Sequence, residues 1–106
     1  MILDLAVDDF TGLWELVWRA DTVFASVAPT ERLRMLQAEV TALVEGRFLD
    51  VFEGTRFGGD EQTVAPSTAV ILLAEPKSWE PPPVGARMHY RIAATPKGRA
   101  SYEAAV

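Results

Sequence analysis

The chain has 106 residues, 49% of them apolar, a formal net charge of −5 and no cysteine. That length supports one domain with a modest core, and the missing cysteines exclude a disulfide frame, a thiolate zinc site and a cysteine nucleophile. The acidic balance argues against non-specific affinity for nucleic acid or anionic lipid, because phosphate charge governs both.

The sign is unevenly spread: residues 1–46 carry eight acids and three bases, whereas residues 84–106 carry one acid and four bases. The opening MILDLAVDDF has acids where a signal peptide requires a basic segment. The longest unbroken apolar run, Ala69 to Ala74, is far too short to cross a bilayer. We expect a soluble, cytoplasmic protein with no membrane partner.

In chain order, Ile2 to Val7 reads as a short extended segment, with Asp8 or Asp9 as a helix cap. The next helix is predicted from about Phe10 to about Phe24. Leu13, Leu16, Val17, Ala20 and Phe24 form one apolar stripe on it, and Phe10, Trp14 and Trp18 form a second. A surface helix needs only one such stripe, so the second must meet another part of the chain, such as Trp79, or another molecule. Pro29 then opens a helix with Glu31 in its first turn. Leu33, Leu36, Val40, Leu43 and Val44 recur at three- and four-residue intervals, and Gly46 stands where a C′ residue is wanted. Its outward face should show Glu31, Arg34, Ala38, Thr41 or Ala42, and Glu45.

Residues 47–53, RFLDVFE, are rich in aromatic and β-branched types and close at Gly54, the pattern of a strand. Its expected partner is 87–93, where Arg87, His89 and Arg91 alternate with Met88, Tyr90 and Ile92, so that the first three form a wet face. Between the two strands lie a turn at Gly58-Gly59-Asp60 and a stiff spacer at Pro81-Pro82-Pro83. Ser67 to Glu75 is read as a short helix capped at Ser67 or Thr68 and stopped by Pro76, in preference to an edge strand. Thr95 and Pro96 supply an N-cap and a first helical residue for a final helix.

This order predicts an α+β domain spanning 1–106, its helices packed on a small antiparallel sheet with a long insertion between the paired strands. It resembles the winged-helix domains of bacterial regulators of MarR or PadR type over roughly the last two-thirds of the chain. The residues that carry the resemblance are Leu43-Val44-Glu45-Gly46-Arg47-Phe48, similar to the junction of recognition helix and wing, and Tyr90-Arg91-Ile92-Ala93-Ala94-Thr95-Pro96-Lys97-Gly98-Arg99, similar to the wing's return into a helix. The resemblance implies helix-turn-helix transcription regulation. Double-stranded DNA would then meet Arg32, Arg34 and Gln37 on the second helix and Arg87, Arg91, Lys97 and Arg99 near the wing. Here the wing is replaced by the insertion, the helix face also carries Glu31, Glu39 and Glu45, and the middle helix of the three-helix core would have to be a single turn at 22–28.

Catalytic and cofactor chemistry find little purchase. His89 is the only histidine, which excludes a two-histidine metal site, and is expected on the solvated strand face. Asp8-Asp9 and Asp60-Glu61 are caps and turns rather than carboxylates facing each other across a cleft. Gly54, Gly58 and Gly59 with Arg56 match no phosphate-loop spacing. No catalytic residue, cofactor or metal is expected. The reading favoured is a non-enzymatic protein-interaction or regulatory module that self-associates through Phe10, Trp14 and Trp18, with the DNA-binding regulator as the alternative.

Overall fold

A computed structural model describes residues 2–7, 10–54, 61–81 and 89–105. The fold is α+β, with helices packed on a four-stranded antiparallel sheet. Its elements are α1 (Ile2–Ala6), β1 (Thr11–Gly12), α2 (Leu13–Val23), α3 (Pro29–Glu45), β2 (Leu49–Gly54), β3 (Gln62–Val64), α4 (Pro66–Ala74), a 3₁₀ turn (Pro76–Trp79), β4 (His89–Ala94) and α5 (Pro96–Ala105). The sheet order is β1-β4-β2-β3, so the last strand is central. The expected pairing is present: Leu49 lies opposite Ala94, Val51 opposite Ile92 and Gly54 opposite His89. The strand begins at Leu49 rather than at residue 47, because Arg47 is taken up by the preceding turn.

Cross-strand registers sort the sheet into two faces. One row, Val64, Val51, Ile92 and Thr11, runs across all four strands on the core side. Against it pack Leu13, Leu16 and Ala20 of α2, Leu36, Val40 and Val44 of α3, and Ala69 and Leu73 of α4. Burying a Leu or Ile side chain of this kind stabilises by about 1.5–3 kcal/mol, so these stripes fix which face each helix turns inward. The next row, Thr63, Phe52, Arg91 and Gly12, lies on the opposite face.

Several local expectations are corrected. Residues 2–6 are helical, not extended, because Ile2 and Ala6, one turn apart, are both buried and tertiary packing decides so short a segment. The second helix starts at Leu13, not near Phe10: Thr11 and Gly12 pair with Ile92 and Arg91 instead, and the Glu15 carboxylate accepts a hydrogen bond from the Gly12 N–H at 3.2 Å. With α1 in place, α2 is the middle of three helices, and residues 24–26 form a turn. The α4 helix is capped by neither Ser67 nor Thr68. Its N-cap is Ala65, with Pro66 at the first position, where no N–H needs a partner. The expected cap of α5 is present: Thr95 Oγ1 accepts from the Gly98 N–H at 3.0 Å. Asp8, Asp9, the Gly58-Gly59-Asp60 turn, Pro82, Pro83 and Met88 lie outside the described residues.

The end of α3 is a Schellman turn whose left-handed residue is Arg47 (φ 65°), not Gly46 (φ −76°). The Arg47 N–H donates to the Val44 carbonyl at 3.1 Å and the Phe48 N–H to Leu43 at 2.8 Å, which places Arg47 at C′. An L-residue there is strained. Arg47→Gly is expected to raise the unfolding free energy by about 0.5–1 kcal/mol, the strain relief less the extra freedom of the unfolded chain. Gly46→Ala should lower it, since a Cβ would stand 2.8 Å from the Phe48 ring. Urea unfolding of the two variants checks both signs.

Candidate interaction surfaces

The outer sheet face is covered at His89 and Arg91. His89 is buried, with the Trp14 indole edge-on at 5.6 Å. Arg91 forms an ion pair with Glu61 at 2.8 Å, both side chains largely buried. Period-two alternation assigned His89 and Arg91 to solvent, and it was overruled by residues distant in sequence that fold over the strand. Trp14 reaches this face because Gly12 offers no Cβ: one built there would lie 2.5 Å from the indole. Phe10 covers the same face, its ring edge-on to Phe52 at 4.9 Å.

The second aromatic stripe therefore divides. Phe10 and Trp14 roof the sheet, although Phe10 stays 41% exposed, and Trp18, one helical turn beyond Trp14, is 55% exposed. Trp79 does meet α2, but through the other stripe. Its ring is buried, its Nε1–H donates to the Leu73 carbonyl at 2.9 Å, and Val17 and Leu33 lie beside it along a groove of about 260 Å³.

Four of the six cations proposed for phosphate contact, Arg32, Arg91, Lys97 and Arg99, are engaged within the fold. Arg32 turns inward to Asp21 at 3.3 Å and reaches the Phe24 carbonyl at 3.5 Å. Gln37 donates to the Ala74 carbonyl of α4 at 3.4 Å. Lys97 donates to the Gly46 carbonyl at 2.8 Å, with its ammonium 4.5 Å from the Phe48 ring centroid, and Arg99 donates to the Val7 carbonyl. Arg34 stands exposed, paired loosely with Glu31 at 3.6 Å. Arg87 lies outside the described residues. The structure thus separates these groups: Arg32, Arg34 and Gln37 point in three directions from α3, and Arg91, Lys97 and Arg99 secure three different junctions.

Sequence reasoning missed the α3–α4 contact. The insertion lays α4 along α3, leaving a shallow groove of about 380 Å³ lined by Gln37, Ala38, Thr41, Ala42 and Glu45 of α3 and by Val70 and Ala74 of α4, with the Gln37 amide bonded across to the Ala74 carbonyl. The outward face of α3 agrees with the sequence at Glu31, Arg34, Ala38, Ala42 and Glu45, while Thr41 is half-buried in this groove. The small residues at 38 and 42 carried a weak signal, since such a spacing lets a second helix approach closely.

Among the described residues, no group of three or more His, Asp or Glu side chains comes together to hold a metal ion, and no helix is long and apolar enough to cross a membrane. No family model, curated protein or solved structure matches this chain.

Proposed function

We propose that this protein is a non-enzymatic protein-interaction or regulatory module of winged-helix type, working in the cytoplasm and self-associating through the aromatic edge of α2. Three helices ahead of β2, and a β2–β4 pair leading into a capped helix, support the winged-helix reading. The observation that carries the functional one is a contrast in how side chains are used. Arg32, Arg91, Lys97 and Arg99, four of the cations that would meet DNA, are held by the fold's own oxygens, while Trp18 stands mostly in solvent one turn beyond half-buried Trp14, and Phe10, ahead of α2, is 41% exposed. Large aromatic side chains are enriched at protein interfaces and gain most from being covered.

Sedimentation equilibrium tests this. The wild type should show a mass that rises with concentration, and Trp18→Ser should sediment as a monomer with stability changed by less than about 0.5 kcal/mol, as for an exposed position. A wild type that is monomeric throughout removes self-association. The DNA alternative makes the opposite prediction in a gel-shift assay, namely a salt-dependent shift of random duplex that is lost in Arg34→Ala with Arg87→Ala. We expect no shift even at low salt.

A further inference from the structure

The groove beside Trp79 lies between three elements. Val17 of α2 forms one wall and Pro29 and Leu33 of α3 a second. Pro76, Glu80 and Pro81, at and just beyond the 3₁₀ turn, form the third, with buried Trp79 between them. At about 260 Å³ the space is smaller than the roughly 300–1,000 Å³ of a small-molecule site and suits one large side chain. Among the described residues Glu80 is the only charged one lining it; Lys77, on the same turn, is exposed but does not line it.

The solvent side of α2 supplies the matching projection. Val17, Trp18 and Arg19 are consecutive and step around the helix by about 100° each, so the order across the surface is Arg19, Trp18, Val17, the groove, and Glu80 on the wall opposite α2. Trp18 is the most exposed aromatic side chain on this helix. Arg19 and Glu80 are both exposed, and among the described residues neither forms an ion pair. The other charges on α2 are engaged: Asp21 with Arg32, and Glu15 with the Gly12 N–H. A second copy, turned about a two-fold axis between Trp18 and Val17, presents the same order reversed. Its groove then covers Trp18 and its carboxylate covers Arg19, while the reciprocal contacts form across the axis. One indole against one groove of side-chain size, and one cation against one carboxylate, each met twice, make the surface self-complementary. Projection and socket adjoin on α2, so the contact closes at two copies instead of propagating.

We infer that the protein forms a closed two-fold dimer in which Trp18 of each copy seats in the other's groove beside Trp79, and Arg19 of each copy pairs with the partner's Glu80. This rests on the self-association reading and names the surface that Trp18 meets. The test is sedimentation equilibrium of the full chain as wild type, as Arg19→Glu, as Glu80→Arg and as the two together. The wild type should reach twice the monomer mass and no more. Each single reversal should weaken the dimer at least about tenfold, because both symmetry-related pairs become repulsions, and the double variant should recover most of the wild-type affinity. That recovery also separates a lost contact from a damaged fold, which a second substitution on another element does not repair. A dimer that is lost in Trp18→Ser but indifferent to both reversals overturns this arrangement and leaves self-association standing. A double variant no tighter than the singles, or a mass that climbs past two copies, overturns it as well. A wild type that is monomeric throughout overturns this arrangement and the self-association reading together.

Discussion

Gly98→Ala is expected to lower the unfolding free energy by about 3 kcal/mol, the upper range for forcing atoms into a filled space. The sign is the informative part. In an ordinary helix interior, Gly→Ala gains about 1 kcal/mol. Here a Cβ would stand 2.0 Å from the Phe48 carbonyl oxygen and 2.9 Å from its carbon, and both are backbone atoms that no rotamer change can move. Those atoms are also committed: the same carbonyl accepts from the Thr95 N–H at 3.1 Å, and Thr95 Oγ1 donates to the Arg47 carbonyl at 2.5 Å. The first turn of α5 is thus seated directly on the α3–β2 corner. Urea unfolding of Gly98→Ala beside Ala100→Ser, an exposed control two residues on, measures the effect. An unchanged or raised midpoint for Gly98→Ala would mean that α5 does not dock this closely.

Trp79→Ala should cost about 3–5 kcal/mol, the range for emptying a buried aromatic site. The ring is 2% exposed and its Nε1–H satisfies the Leu73 carbonyl near the end of α4. Trp79→Phe separates the two contributions: it keeps most of the packing but leaves that carbonyl without its donor, for a loss of about 1–3 kcal/mol. Because domains of this kind are stable by about 5–15 kcal/mol, the alanine variant should lose a large fraction of its stability. Chemical denaturation gives the totals, and amide hydrogen exchange shows whether α4 loosens first, as expected if Trp79 pins the insertion to α2. A loss below about 1 kcal/mol for the alanine variant would contradict that anchoring.

The sequence revealed those parts of the fold whose cause is local. Leu36, Val40 and Val44 recur at helical spacing and are buried in α3; Pro66 and Pro76 bracket α4; Thr95 and Pro96 open α5. What it concealed has causes remote in the chain. Phe10 and Trp14 are four residues apart, which continues a helical period, so nothing nearby announced that Thr11 and Gly12 would pair with Ile92 and Arg91. His89 and Arg91 alternate as solvated residues do, and Trp14 and Glu61, both distant in sequence, cover them. At the candidate surfaces, Trp18 was legible as an apolar residue in excess of what the helix needed. The α3–α4 groove was not, because it exists only once the insertion has folded back on α3.

The central position of β4 bears on how the molecule is made. Thr11 waits for Ile92, and Leu49 for Ala94, so on the ribosome the sheet lacks its β4 strand until the residues up to Ala94 have emerged. Until then the side of β2 that pairs with β4 stays an open edge beside Leu49 and Val51, and such nascent forms are prone to aggregate. Assembly is therefore late and nearly all at once, governed by closure of long loops rather than by growth from the N-terminus.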